Sequence, residues 1–258
     1  MLGRPLALAA ALTFAAATAQ AAEIRVLQSG AFKSAMADIK PLFEQASGHK
    51  LLLDSDTSGR IAQRIDKGEE TDFIVSTSAG VDDLIKQGKV LADSKAQVAR
   101  AGVGVVVRKG AAKPDISTPE KFKQALLGAK TVAYTNPASG GQSGVYFAKL
   151  LAQLGITDEI NKKAKFGDGG PVALIVAKGD AEMGMQPIPE LLAHSDVVDF
   201  IGPLPTALQS YNHLTGGLPV SGKQPEAARA LMKFLATPAA QAVMKAKGTG
   251  DAPHPFFT

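Results

Sequence analysis

The chain has 258 residues, 45% hydrophobic and 20% charged, a globular composition that excludes disorder, collagen and coiled coil. It contains no Cys, which excludes disulfides, thiolate zinc sites and a cysteine nucleophile, and its four His argue against a His-rich metal site. Trp is absent, aromatics are 5% and the net charge is +4, a balance that disfavours base-stacking nucleic-acid modules and favours small anions as partners.

Residues 1–21 read as a secretory leader. Met1-Leu2-Gly3-Arg4 is a basic start, Leu6–Ala17 an apolar run, and Ala19-Gln20-Ala21 a small-residue cleavage site. The run is too short for a membrane span, which needs roughly 20 residues. With no Cys behind it there is no site for a lipid anchor. The expectation is an unanchored protein of the periplasm.

Strand and helix signals then alternate. Ile24–Gln28 is a short apolar strand, and Ala31–Ser47 carries Phe32, Met36, Ile39, Leu42 and Phe43 at helical spacing until Gly48. Leu51–Asp54 reads as a strand, Ser58–Lys67 as a helix, Phe73–Thr77 as a strand and Val81–Gln87 as a helix. This βαβαβα order predicts a parallel sheet flanked by helices. Val103–Val107 is a continuous β-branched run, as in a strand buried on both faces. Thr118-Pro119-Glu120 starts a helix; Thr131–Tyr134 is a strand and Ser143–Leu154 a helix. Pro171–Lys178 reads as a helix, Glu182–Gln186 and Val197–Ile201 as strands, and Glu226–Ala236 and Pro238–Lys247 as closing helices. The fold class is α/β, with two lobes joined by crossings near Gln97–Val107 and Pro203–Leu214. One lobe is expected over 22–100 plus 206–258 and the other over 101–205.

Small polar residues crowd the strand ends. Ser29-Gly30, Ser55–Arg60, Ser76-Thr77-Ser78, Asn136–Gly144 and Gly167-Asp168-Gly169-Gly170 each precede a helix. Any one of them reads equally well as a cap and turn. Together they point to a cleft at the carboxyl ends of the strands, where helix N-termini favour anions. Asn136–Gly144 lacks the Walker spacing, and Gly141-Gln142-Ser143-Gly144 is one residue short of a nucleophile elbow. No cofactor motif is present. His49 and His194 follow helices and read as surface residues, His254 lies in the tail, and His213 is the histidine placed to face a cleft.

The secreted βαβα start, the Ser-rich second loop, Thr71-Asp72-Phe73-Ile74-Val75-Ser76, Gly144-Val145-Tyr146 and Gln153-Leu154-Gly155 together resemble the periplasmic molybdate-binding proteins. The resemblance spans nearly all of the chain after the leader. It implies the type II periplasmic binding protein fold, two lobes around an anion-binding cleft, and a monomer. The expected ligand-binding set is Ser29, Gly30 and Ala31; Ser58, Gly59 and Arg60; Ser143 and Gly144; Gly169; and Gln186, of which Ser58 and Ser143 match ligand positions of that family. The chain departs from that family in two places: Ala31 stands where the family has Ser, and Pro187 where it usually has Tyr. Arg60 adds a cation to a site that uses neutral donors. A planar carboxylate pairs with a guanidinium through charged hydrogen bonds of about 1.5–3 kcal/mol each. These departures favour a small di- or tricarboxylate.

The same family resembles an enzyme, periplasmic aconitate isomerase. It moves a double bond by a 1,3-proton shift that needs a base and preorganised donors but no cofactor. His213, Asp168 and Tyr134 are the candidate bases and Arg60 the carboxylate anchor. The alternative is a solute-binding protein of an ABC importer for molybdate, another oxyanion or a small organic acid, with an ABC permease as partner.

Overall fold

The computed structural model describes residues 21–249. The expected leader, Ala21 apart, and His254 lie outside the described residues. Among the described residues no helix is long and apolar enough to cross a membrane.

The first lobe opens with β1 (Glu23–Ser29), α1 (Gly30–Ser47), β2 (Lys50–Asp56), α2 (Ser58–Asp66), β3 (Phe73–Thr77) and α3 (Ser78–Lys86). In α1 four of the expected periodic set, Phe32, Met36, Ile39 and Phe43, are buried, while the fifth, Leu42, is exposed on the flank of that stripe. The helix stops where Gly48 turns left-handed at φ 74°, a conformation that costs glycine little, and gives its N–H to the Glu44 carbonyl.

The chain crosses on β4 (Ala96–Arg108) and builds α4 (Pro119–Gly128), β5 (Val132–Thr135), α5 (Gln142–Gln153), α6 (Thr157–Asn161) and β6 (Ala164–Gly167). α7 (Val172–Ala177), β7 (Met183–Pro187), α8 (Ile188–Leu192) and β8 (Val198–Pro203) complete the second lobe. The return runs through β9 (Tyr211–Gly217) to α9 (Pro225–Leu235) and α10 (Pro238–Ala246).

The strand order is β2-β1-β3-β9-β4-β7-β5-β6, with β8 also on β4. β1, β2 and β3 bear out the parallel pairing expected of the βαβαβα start, while the sheet as a whole is mixed. β1 pairs in parallel with β2 and β3, and β5 with β6 and β7. β4 runs antiparallel to β9, β7 and β8, and β9 antiparallel to β3. The outgoing and returning strands lie side by side, so they need no helical crossover between them.

Each lobe has its own core. Phe32, Met36, Phe43, Phe73, Leu214 and Leu231 pack together in the first. Val103, Val105, Phe122, Tyr134, Phe147 and Met185 do so in the second. β4 pairs with β9 as far as Gly102 and with β7 from Val103 onward, so the ladder changes partners between these residues. There the Gln209 side chain takes a strand's place: its Oε1 accepts from Val103 N–H at 2.8 Å and its Nε2 donates to the Val103 carbonyl at 2.9 Å. A buried peptide group left unpaired at this junction would cost about 1–3 kcal/mol.

Candidate functional site

A cavity of about 360 Å³ opens between the lobes at the carboxyl ends of the strands. Three helix N-termini meet it. α1 contributes Ser29 and Gly30, α2 contributes Thr57 and Ser58, and α5 contributes Gly141, Gln142 and Ser143. The first N–H groups of a helix have no partner within it, and together with the helix dipole they favour negative charge by about 0.3–1 kcal/mol per terminus. Ser29 occupies the N-cap position of α1, yet its hydroxyl makes no capping bond. Ser143 Oγ donates to Thr135 Oγ1 at 3.4 Å. Buried Gln142 Oε1 has no partner and lines the same cavity. One residue before Ser29, both amide atoms of buried Gln28 are also unpartnered.

Of the residues expected to bind a ligand, Ser29, Gly30, Ser58, Ser143, Gly169 and Gln186 line the cavity. Ala31, Gly59, Arg60 and Gly144 do not. Ala31 is 1% exposed and sits in the first core. Gly144 is a packing residue, because a Cβ there would stand 2.2 Å from the Thr135 carbonyl oxygen. Gly59 meets the other lobe: its N–H donates to the Gly140 carbonyl at 3.2 Å, and a Cβ would lie 2.9 Å from Gly140 Cα. Thr57 Oγ1 donates to the Ser139 carbonyl at 2.6 Å beside it. The structure therefore has the two lobes in backbone contact over the cleft.

Arg60 lies at that rim. Its side chain is 42% exposed, 3.7 Å from Asp56 and 3.4 Å from the Asp168 carbonyl. Arg60 does not itself line the cavity, but its guanidinium lies at the lobe boundary beside Gly169 and Asp56, which do.

The three residues expected to move a proton are elsewhere. His213 is exposed on β9, while its neighbour Asn212 is buried and lines the cavity, as the alternation of a strand requires. Asp168 is exposed and accepts from Asn136 Nδ2 at 2.6 Å. Tyr134 is 2% exposed in the second core, between Phe147 and Phe166, with its hydroxyl on Asn161 Oδ1 at 3.2 Å; burial pushes its pKa up. The histidine at the cavity is His194, half-buried just past α8, which corrects its assignment to the open surface.

Among the cavity residues missed by sequence reasoning are Lys33, Asn212 and Glu190. Lys33 stands exposed in the first turn of α1. Glu190 is half-buried in α8 and accepts from Gln186 Nε2 at 2.5 Å. Gln186 is itself fixed, because its Oε1 takes the Val172 N–H at 2.8 Å. Burial pushes the Glu190 carboxyl up to about 7, against the opposing pull of Gln186 and of the Lys33 charge. A signal was present: Glu190 falls in the first turn of α8, just past the end of β7, but inside a proline-flanked apolar segment.

The profile of the bacterial extracellular solute-binding protein family matches residues 24–249. The chain is 32% identical over 236 residues to an aconitate isomerase of a Pseudomonas species, covering 89% of this chain and 88% of that protein. It is 28% identical over 240 residues to a molybdate-binding protein of Azotobacter vinelandii, covering 91% and 92%. The solved periplasmic molybdate-binding protein of Azotobacter vinelandii has a TM-score of 0.75 at 20% identity, over 89% of this chain and all of that one. With two lobes closed on a cleft and a profile match over almost every described residue, the chain belongs to the bacterial extracellular solute-binding protein family.

Proposed function

We propose that this protein acts in the periplasm, binds a small polycarboxylate anion, and isomerises trans-aconitate to cis-aconitate by a 1,3-proton shift. The observation that carries the reading is the cavity itself: about 360 Å³, with donors arriving from three separate helix N-termini and Lys33 at its edge. That volume falls in the range of ordinary small-molecule sites, ~300–1,000 Å³. Separated nests of N–H groups suit an anion whose charges are spread over several carboxylates. A compact tetrahedral oxyanion would leave much of the space unfilled. The likeness to an aconitate isomerase over most of both chains supports the same substrate.

In this reading Ser29, Ser58 and Ser143, with the N-termini behind them, hold the carboxylates, and Gly169 and Gln186 close the far side. Charge developing on the allylic system during proton removal is delocalised onto a carboxylate and stabilised by these donors. The transport reading, an ABC importer's binding protein, is favoured by the family match, whose description is solute binding. Proton NMR of trans-aconitate with the purified protein in D2O separates the two. Conversion to the cis isomer with deuterium uptake at carbon is expected. Binding without conversion, at high protein concentration and across pH, leaves the transport reading.

A further inference from the structure

Any proton shift on carbon needs a group that can accept a proton close to the bound anion. Four titratable side chains line the cavity: Lys33, Asp56, Glu190 and His194. Asp56 is committed elsewhere. It lies 3.7 Å from Arg60 and 3.6 Å from Arg64, and it accepts the Thr57 N–H at 2.8 Å. Lys33 is exposed and contributes positive charge. His194 follows α8 one turn beyond Glu190.

Glu190 differs from the other three in how it is held. Its carboxyl packs over the first residue of α1, so closely that a Cβ on Gly30 would lie 3.3 Å from its Cδ and its Oε1. Gly30 thus leaves room for an acid group from the second lobe at a helix N-terminus of the first. Gln186 engages only Oε2. Within the cavity a permanent negative charge would oppose an incoming polyanion. A group that carries its charge only part of the time fits an anion cavity and a proton transfer together.

We propose that Glu190 is the catalytic residue of this cavity, taking a proton from the CH2 carbon of bound trans-aconitate and returning it at the other end of the allylic system. The assignment rests on the isomerase reading above. In the first step the C–H bond breaks and the proton passes to a Glu190 oxygen. The electron pair spreads over three carbons and the adjoining carboxylate. In the second step the proton leaves Glu190 to form a C–H bond at the former vinyl carbon, the double bond closes one position along, and the Glu190 carboxylate is regenerated. No redox partner or second substrate enters the balance. The charged and polar groups around Glu190 are Lys33 from α1, Gln186 from β7 and His194 from its own segment. With its carboxyl pushed up to about 7, Glu190 is a stronger base than an ordinary glutamate and still ionises near neutral pH.

The test is the full chain with trans-aconitate in D2O, followed by proton NMR for wild type, Glu190→Gln, Glu190→Asp and His194→Asn. Binding to each is measured by calorimetry and folding by circular dichroism. Glu190→Gln should fold and bind trans-aconitate within about threefold of wild type, while turnover falls by about 10²–10⁴-fold. Glu190→Asp should keep part of the turnover, with the limb of its pH profile near 7 displaced. An active wild type whose Glu190→Gln variant turns over within tenfold of it overturns the assignment alone, as does a comparable loss found only in His194→Asn. A wild type that binds trans-aconitate but never converts it to the cis isomer overturns the isomerase reading, and this assignment with it.

Discussion

The first-lobe wall of the cleft presents Ser29, Ser58 and Lys33 with the N-termini of α1 and α2, whereas the second-lobe wall presents Ser143, Gln186 and Glu190 with the N-terminus of α5. Both walls offer hydroxyls and free backbone N–H groups, so both can hold carboxylates. Only the first adds a cation, and only the second adds a carboxyl freed by burial from its usual ionisation range. Anion binding is thus a property of the two lobes together, while the group able to exchange a proton near neutral pH belongs to one of them.

The largest test of this contrast is the pH dependence of stability. Glu190 has its carboxyl raised from 4.5 to about 7 in the folded protein. Between those values the native state binds more protons than the unfolded chain, so the contribution of this group is complete below about 4.5 and is lost as pH rises to about 7. At pH 8 Glu190→Gln should therefore be more stable than wild type by on the order of 3 kcal/mol. Urea unfolding of both proteins at pH 4 and pH 8 measures it, and equal differences at the two pH values contradict a carboxyl held neutral by burial.

Ser29→Ala comes next. It removes a hydroxyl that makes no capping bond from the first wall. Loss of one hydrogen bond to a charged ligand costs about 1.5–3 kcal/mol, so calorimetry should show trans-aconitate binding weakened at least tenfold with the thermal midpoint little changed. Gly59→Ala acts on the contact between the walls. The new Cβ, 2.9 Å from Gly140 Cα, faces backbone that can give way only by parting the lobes. Affinity should fall by about tenfold, or ~1.4 kcal/mol, again by calorimetry. Arg60→Ala should do least. An exposed pair at 3.7 Å is worth about 0–1 kcal/mol, and a loss of affinity above tenfold would mean that the guanidinium reaches the ligand after all.

Much of this architecture was legible in the chain. Phe32, Met36, Ile39 and Phe43 repeat at helical spacing, and Gly48 marks the stop, so α1 and its buried face were legible, Leu42 apart. Val103–Val107 carried its burial in its branching, and every one of its valines is buried. β9 was read only as a crossing. Tyr211-Asn212-His213-Leu214-Thr215-Gly216-Gly217 is polar and glycine-rich, and its strand character comes from pairing with β3 and β4, distant in sequence. The same limit governed the site. Ser/Gly loops advertise free N–H groups, which is why Ser29, Ser58 and Ser143 could be chosen. A charge shows in the sequence, but its direction does not: Arg60 turns to the rim and His213 to the outer face of its strand. Glu190 escaped notice because its importance lies in what surrounds it, Gly30 from another lobe and Gln186 from another element.

The Gln209 amide beside Val103 gives the passage between the lobes an unusual guardian. A neighbouring strand can release a peptide group only by unzipping with its fellows, but a side chain can release it by turning about its own bonds. The Val103 amide is therefore a local clock in solvent deuterium. It runs on the turning of one side chain, while Val105 and Val106, set between β7 and β8, keep the slower time of the whole sheet.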